Sequence, residues 1–173
     1  MKTDLQHWLK SAFSIAAILF GISIPATNAN DDHTQSNIAL NAAQKKPKIV
    51  LVIDDIGYNK ALGRRAAELP GAITYAVIPH TPLAKKLAFY ALHVDPAKEI
   101  IVHMPMQSTR DKLLGKGGLT EDLQQSQFLT RIRSALADVP FARGLSNHMG
   151  SHLTQLPDRM HWLMGELKRQ QYF

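Results

Sequence analysis

A chain of 173 residues with 45% apolar residues has the material for one domain of ordinary size with a packed core. Its net charge of +6 is spread along the chain, and no Lys/Arg run is interleaved with aromatics, which argues against nucleic-acid binding. The absence of cysteine excludes disulfides, thiolate zinc ligands, a cysteine nucleophile and a lipid-modified cysteine after a leader.

The N-terminus has three parts. Lys2 and Lys10 flank a polar start, an apolar run extends from Ala12 to Ile24, and Pro25 precedes the small residues Ala26-Thr27-Asn28-Ala29. This is the layout of a secretory signal peptide over residues 1–29. The apolar run is shorter than the roughly 20 residues of a membrane-spanning helix, so no stable span is expected after cleavage. The body of the protein is expected to be exported, with a Gram-negative periplasm as the expected compartment. Residues 30–46 are polar and aperiodic and read as a flexible linker, so the folded domain is expected over residues 47–173.

From Pro47 onward, strand and helix signals alternate. The β-branched run at 48–53 reads as a buried parallel strand ending at Asp54-Asp55-Ile56-Gly57. A helix is predicted at 59–68 with Asn59 as its cap, then a strand at 72–78. A second helix is predicted at 82–93, capped by Thr81 with Pro82 at its first position, followed by a strand at 99–103. The third helix is predicted at 121–138, with Thr120 as cap and Glu121 and Asp122 in the first turn, where the helix dipole favours carboxylates. A strand at 142–147 and a helix at 158–170 follow, and Gln171-Tyr172-Phe173 reads as the start of a fifth strand. Repeated βα units imply a parallel sheet with outer helices. Four units cannot close a barrel of seven or eight strands. The pattern therefore reads as an α/β domain cut short at its C-terminus, with a small open sheet as the alternative.

The candidate chemistry sits at the C-terminal ends of strands, where α/β folds place their sites. Asp54 and Asp55 end the first strand, His103 ends the third, and His148 follows the fourth within Asn147-His148-Met149-Gly150-Ser151. Two adjacent carboxylates can divide their roles, one ligating a metal and the other handling a proton. Carboxylate and imidazole donors leave open coordination positions, the pattern of a catalytic site for zinc or a similar divalent ion. His148 and His152 are four apart, a spacing common by chance; His80, His93 and His161 read as incidental. The Gly115–Gly118 loop precedes a predicted helix, but Glu121 and Asp122 would repel a phosphate there, which argues against a phosphoesterase.

Four segments taken in order resemble the divergent polysaccharide deacetylase family of YibQ-type exported proteins. They are Ile53-Asp54-Asp55-Ile56-Gly57, Val102-His103-Met104-Pro105-Met106, Gly117-Gly118-Leu119-Thr120 and Asn147-His148-Met149-Gly150-Ser151. The resemblance covers residues 47–173. It implies a distant relation to the NodB-like carbohydrate esterases and their distorted (β/α) barrel. It further implies a zinc-type hydrolase of acetylated glycans that cleaves carbon–nitrogen bonds other than peptide bonds. By the same resemblance Asp54 is the general base and Asp55, His103 and His148 are the metal ligands. Water activated at the metal and deprotonated by Asp54 would attack an acetyl carbonyl. Here the two histidines lie on separate strands, whereas the related esterases place theirs in one His-x-x-x-His motif. His152 falls at an Arg-like position and is not assigned as a ligand. The family pattern also continues past residue 173, with a strand carrying an Asp and an Arg. The alternative from another class is a non-catalytic envelope protein that binds a glycan or a partner through a degenerate site.

Overall fold

The computed structural model describes residues 48–110 and 112–173; the expected signal peptide and linker lie outside the described residues. The elements run β1 (Leu51–Ile56), α1 (Lys60–Ala67), β2 (Ile73–Val77), α2 (Ala84–Val94), β3 (Glu99–Met106), α3 (Gln125–Asp138), β4 (Leu145–Met149), a 3-10 turn (Leu153–Gln155) and α4 (Pro157–Arg169). The strands pair in parallel in the order β1-β2-β3-β4 and form a curled half-barrel flanked by helices.

Strand position decides burial. β2 and β3 are central, and their apolar runs are buried almost throughout, as parallel strands covered on both faces should be. Tyr75, Val77, Ile100 and Val102 pack with Leu87, Phe128, Ile132 and Leu163 in one continuous core. Full burial of one such side chain contributes about 1.5–3 kcal/mol. β1 departs from the sequence reading. It is an edge strand of the described sheet, starts at Leu51 rather than Lys48, and leaves Leu51 58% and Val52 46% exposed. Hydropathy alone cannot distinguish an edge strand from a central one.

β3 runs three residues further than predicted and contains Pro105. Proline lacks the N–H of a ladder donor and is tolerated where one flank is free. β2 has already ended here: its last pairing with β3 is Val77 with Val102. The vacated flank is taken by the segment before α3. Leu119 donates its N–H to the Pro105 carbonyl (2.8 Å), and Gln107 donates to the Leu119 carbonyl (2.9 Å). β4 is also displaced, although its ladder begins earlier: Arg143 donates to the Ile100 carbonyl and Val102 to the Gly144 carbonyl, both at 2.9 Å. On the outer edge of β4, Phe173 donates to the Arg143 carbonyl (3.1 Å) and accepts from Leu145 (2.9 Å), so the last residue adopts strand-like pairing there.

The helix starts were read unevenly. Asn59 caps α1 as expected, accepting from the Leu62 N–H at 3.0 Å, and α4 has Pro157 in its first turn. Thr81 does not cap α2. Its hydroxyl turns back and donates to the Ile78 carbonyl (2.8 Å), and the helix starts at Ala84. α3 starts at Gln125, not at residue 121, because Gln124 and Gln127 form a reciprocal capping box. Glu121 therefore lies before the helix, with its N–H donating to Gln107 Oε1 at 2.7 Å. Asp122 likewise lies outside the first turn, and hydrogen bonding from Thr120 lowers its carboxyl pKa. Among the described residues no helix is long and apolar enough to cross a membrane.

Candidate metal centre

Adjacent residues on a regular strand point to opposite faces, so Asp54 and Asp55 need a local device to meet on one side. The β1–β2 register provides it. Ile53 pairs with Tyr75 and Ile56 with Val77, so β1 holds one extra residue between them. This is a β-bulge, and Asp55 within it has φ +61. Aspartate is among the few non-glycine residues that tolerate this left-handed conformation. Gly57 completes the turn with φ +145, and a Cβ there would lie 2.1 Å from Thr81 Oγ1. The Asp-Asp-x-Gly pattern thus has a steric cause at both ends.

The bulge brings the carboxylates toward β3 and β4. Asp55 Oδ1 lies 2.9 Å from His148 Nδ1 and 3.3 Å from His103 Nε2, and Asp54 Oδ1 lies 3.8 Å from His103 Nδ1. The two imidazole rings meet edge to face with centroids 5.0 Å apart. Asp55, His103 and His148 each offer one donor atom, and these three atoms lie within 4.8 Å of one another. All four residues singled out in the sequence therefore converge, from three strands.

His103 is 4% exposed. Its Nδ1 lies 2.8 Å from Ser146 Oγ, and the two residues are direct partners in the β3–β4 register. If Nδ1 carries the hydrogen and donates it to Ser146, the Nε2 lone pair is left facing Asp55. Burial lowers the His103 pKa, and the positive charge that His148 can carry adds to this; Asp54 and Asp55 oppose it. The balance favours the neutral, ligating form. One carboxylate oxygen, two imidazole nitrogens and a hydrogen-bonded remote nitrogen form a donor set that could hold a metal ion. Ser146 was not singled out in the sequence because its role depends on the strand register.

The remaining histidines lie elsewhere. His152 Nε2 lies 2.8 Å from Glu121 Oε2, and the hydrogen bond from His152, followed by its charge, lowers the Glu121 pKa. The His80 N–H donates to Asp138 Oδ2 at 2.6 Å, and its ring lies 3.4 Å from Ser134 Oγ. His93 and His161 are exposed on helices.

Comparison with known proteins agrees with this architecture. The chain is 33% identical over 132 residues to the uncharacterized protein YibQ of Escherichia coli, covering 76% of this chain and 41% of that protein. It is also 33% identical over 126 residues to an uncharacterized protein of Haemophilus influenzae, covering 73% of this chain and 44% of that one. The chain thus spans less than half the length of these relatives. The crystal structure of an uncharacterized protein from Agrobacterium tumefaciens superposes with a TM-score of 0.65 at 15% identity, over 71% of this chain and 50% of the other. That match concerns the fold alone. Residues 51–173 match the family model described as divergent polysaccharide deacetylase, and the chain belongs to that family.

Proposed function

We propose that the chain is an exported metal-dependent hydrolase that removes acetyl groups from a polysaccharide or peptidoglycan-type glycan. The observation that carries this reading is the convergence of Asp55, His103 and His148 beside a second carboxylate, Asp54. Asp55, His103 and His148 would hold the cation, for which zinc is the candidate. A bound divalent ion supplies Lewis-acid polarisation of the acetyl carbonyl and makes nearby water more acidic.

The rest of the work falls to the chain. Asp54 acts as general base and takes a proton from the attacking water at its carboxylate. At 3.8 Å from His103 Nδ1 it is too far for a hydrogen bond, so the imidazole leaves its lone pairs free. Ser146 keeps His103 oriented. Water oxygen bonds to the carbonyl carbon, the carbon–nitrogen bond breaks, the amine departs with a proton, and acetate is released.

The test is acetate release from acetylated glycans by the zinc-loaded protein and by its Asp54→Asn variant. Release by the wild type, lost in a variant that still holds metal, supports the reading. Zinc binding without acetate release from any acetylated glycan would favour the non-catalytic alternative, an envelope protein that binds a glycan or a partner.

A further inference from the structure

β2 makes its last pairing with β3 at Val77 and Val102, so no β2 residue lies beside His103 or Pro105. The gap is filled by the loop Gly115–Gly118 and by Leu119, which bridges to Met106. A Cβ at Gly115 would lie 3.7 Å from Pro105 Cγ and 3.6 Å from the Tyr58 hydroxyl. Pro105 is two residues beyond His103, hence on the same face of β3, and it pairs with His148. The glycine loop is therefore a wall of the candidate metal centre, and whatever holds the loop shapes that centre.

The loop is held by a histidine that the metal centre does not use. His80 stands just beyond β2 with φ +61, a conformation that histidine and asparagine adopt more readily than most side chains. Gly117 packs on its ring. A Cβ there would lie 3.0 Å from His80 Cδ2 and 3.3 Å from Nε2, and φ +78 favours glycine at this position. The ring nitrogens face α3: Nδ1 lies 3.7 Å from Asp138 Oδ2, and Nε2 lies 3.4 Å from Ser134 Oγ. Neutral imidazole carries one N–H and can present it to only one of these partners, whereas the imidazolium presents one to each. The His80 and Asp138 side chains are 16% and 19% exposed, so solvent screens their attraction only in part. Lys85 of α2 lies 3.4 Å from Asp138 Oδ1 and competes for the carboxylate. Arg131 of α3 donates to the Gly118 carbonyl, and Lys116 in the loop is exposed. Among these groups Asp138 is the one that meets the ring with opposite charge.

We propose that His80 is a proton-sensitive clasp. Its imidazolium, held between Asp138 and Ser134, pins the Gly115–Gly118 wall of the metal centre, and the neutral ring loosens it. The clasp tightens as the pH falls through the range in which histidines gain charge, about 8 to 5. It stands apart from the deacetylase reading, because it concerns the wall and not the reaction.

The experiment is amide hydrogen exchange of the full chain at pH 7.5 and 5.5, read by NMR and divided by the intrinsic rate at each pH. Gly118 is the probe, because its N–H donates to the Gly115 carbonyl at 3.1 Å. Wild type is compared with His80→Asn, which tolerates the left-handed backbone, and with Asp138→Asn, which keeps an oxygen for the His80 N–H. The expected result is Gly118 protection about threefold higher at pH 5.5 in the wild type, the scale of a partly exposed ion pair, and no difference in either variant. Equal protection of the wild type at both pH values would overturn the clasp. A difference that survives in either folded variant would overturn it too, by assigning the effect to other titrating groups such as His103 and His148.

Discussion

Asp55 combines a backbone of φ +61 with two imidazole contacts, at 2.9 and 3.3 Å. The extra residue in β1 turns two neighbouring carboxylates toward one pair of histidines, which a regular strand would not do. Ser146 is the residue whose role depends most on geometry. Replacing it with alanine removes the hydrogen-bonding partner of His103 Nδ1, and losing the partner that orients a ligating histidine typically costs about 10–100-fold in metal affinity. Competition with a chelator should read that loss for Ser146→Ala, and unchanged affinity would exclude the serine from the site. Gly57→Ala should be destabilising by about 1–3 kcal/mol, because it combines a left-handed backbone with a Cβ driven into Thr81. Urea unfolding would measure this, and a wild-type midpoint would contradict it. Asp54, Asp55 and His103 stood out because each follows a strand-like apolar run, and His148 because it sits in the segment Asn147-His148-Met149-Gly150-Ser151 at the end of the fourth predicted strand. Ser146 did not, because the pairing of His103 with Ser146 is a property of two strands aligned in space.

At the scale of elements, α3 and α4 are joined through Glu166, whose side chain is 3% exposed. Arg133 donates to it from α3 with two nitrogens, at 2.8 and 3.1 Å, and Arg169 donates from its own helix at 2.7 and 3.2 Å. Hydrogen bonds from Arg133 and then Arg169 hold its carboxyl well below the ordinary glutamate value of 4.5. A carboxylate with a depressed folded-state pKa stabilises the fold fully above its unfolded value. That contribution is lost as the pH falls below 4.5 toward the folded value. Glu166→Gln should therefore lower stability at neutral pH and flatten the acid limb of the stability profile. An unchanged slope between pH 5 and 3 would contradict this coupling. α1 was legible from the Asn59 cap, and the helix expected at 158–170 forms as Pro157–Arg169. α3 was misread because Thr120-Glu121-Asp122 imitates a helix start, while Gln124 and Gln127 form the working capping box. The extension of β3 through Pro105 was hidden for a related reason: a proline ends a strand in sequence logic unless its flank is free.

At the scale of the whole molecule, the four parallel strands form a half-barrel whose central strands are buried and whose first strand is not. The alternation of strands and helices made the parallel α/β class legible. The exposure of β1 was not legible, since an apolar run carries no record of how many neighbours the strand has. Ile49, Val50, Leu51 and Val52 form an exposed apolar stretch. Exposed apolar residues leading into an edge strand promote association between chains. Val50→Lys should reduce self-association in light scattering without altering zinc content, and unchanged scattering would show that this stretch does not drive association.

The central claim is that three strands of the half-barrel deliver one divalent-cation site. The direct measurement is the zinc content of the purified chain beside its His103→Ala and His148→Ala variants, with folding checked by circular dichroism. The account predicts one zinc per wild-type chain and loss of that zinc in both folded variants. Equal zinc retention in all three proteins, or a folded wild type that takes up none, would contradict it.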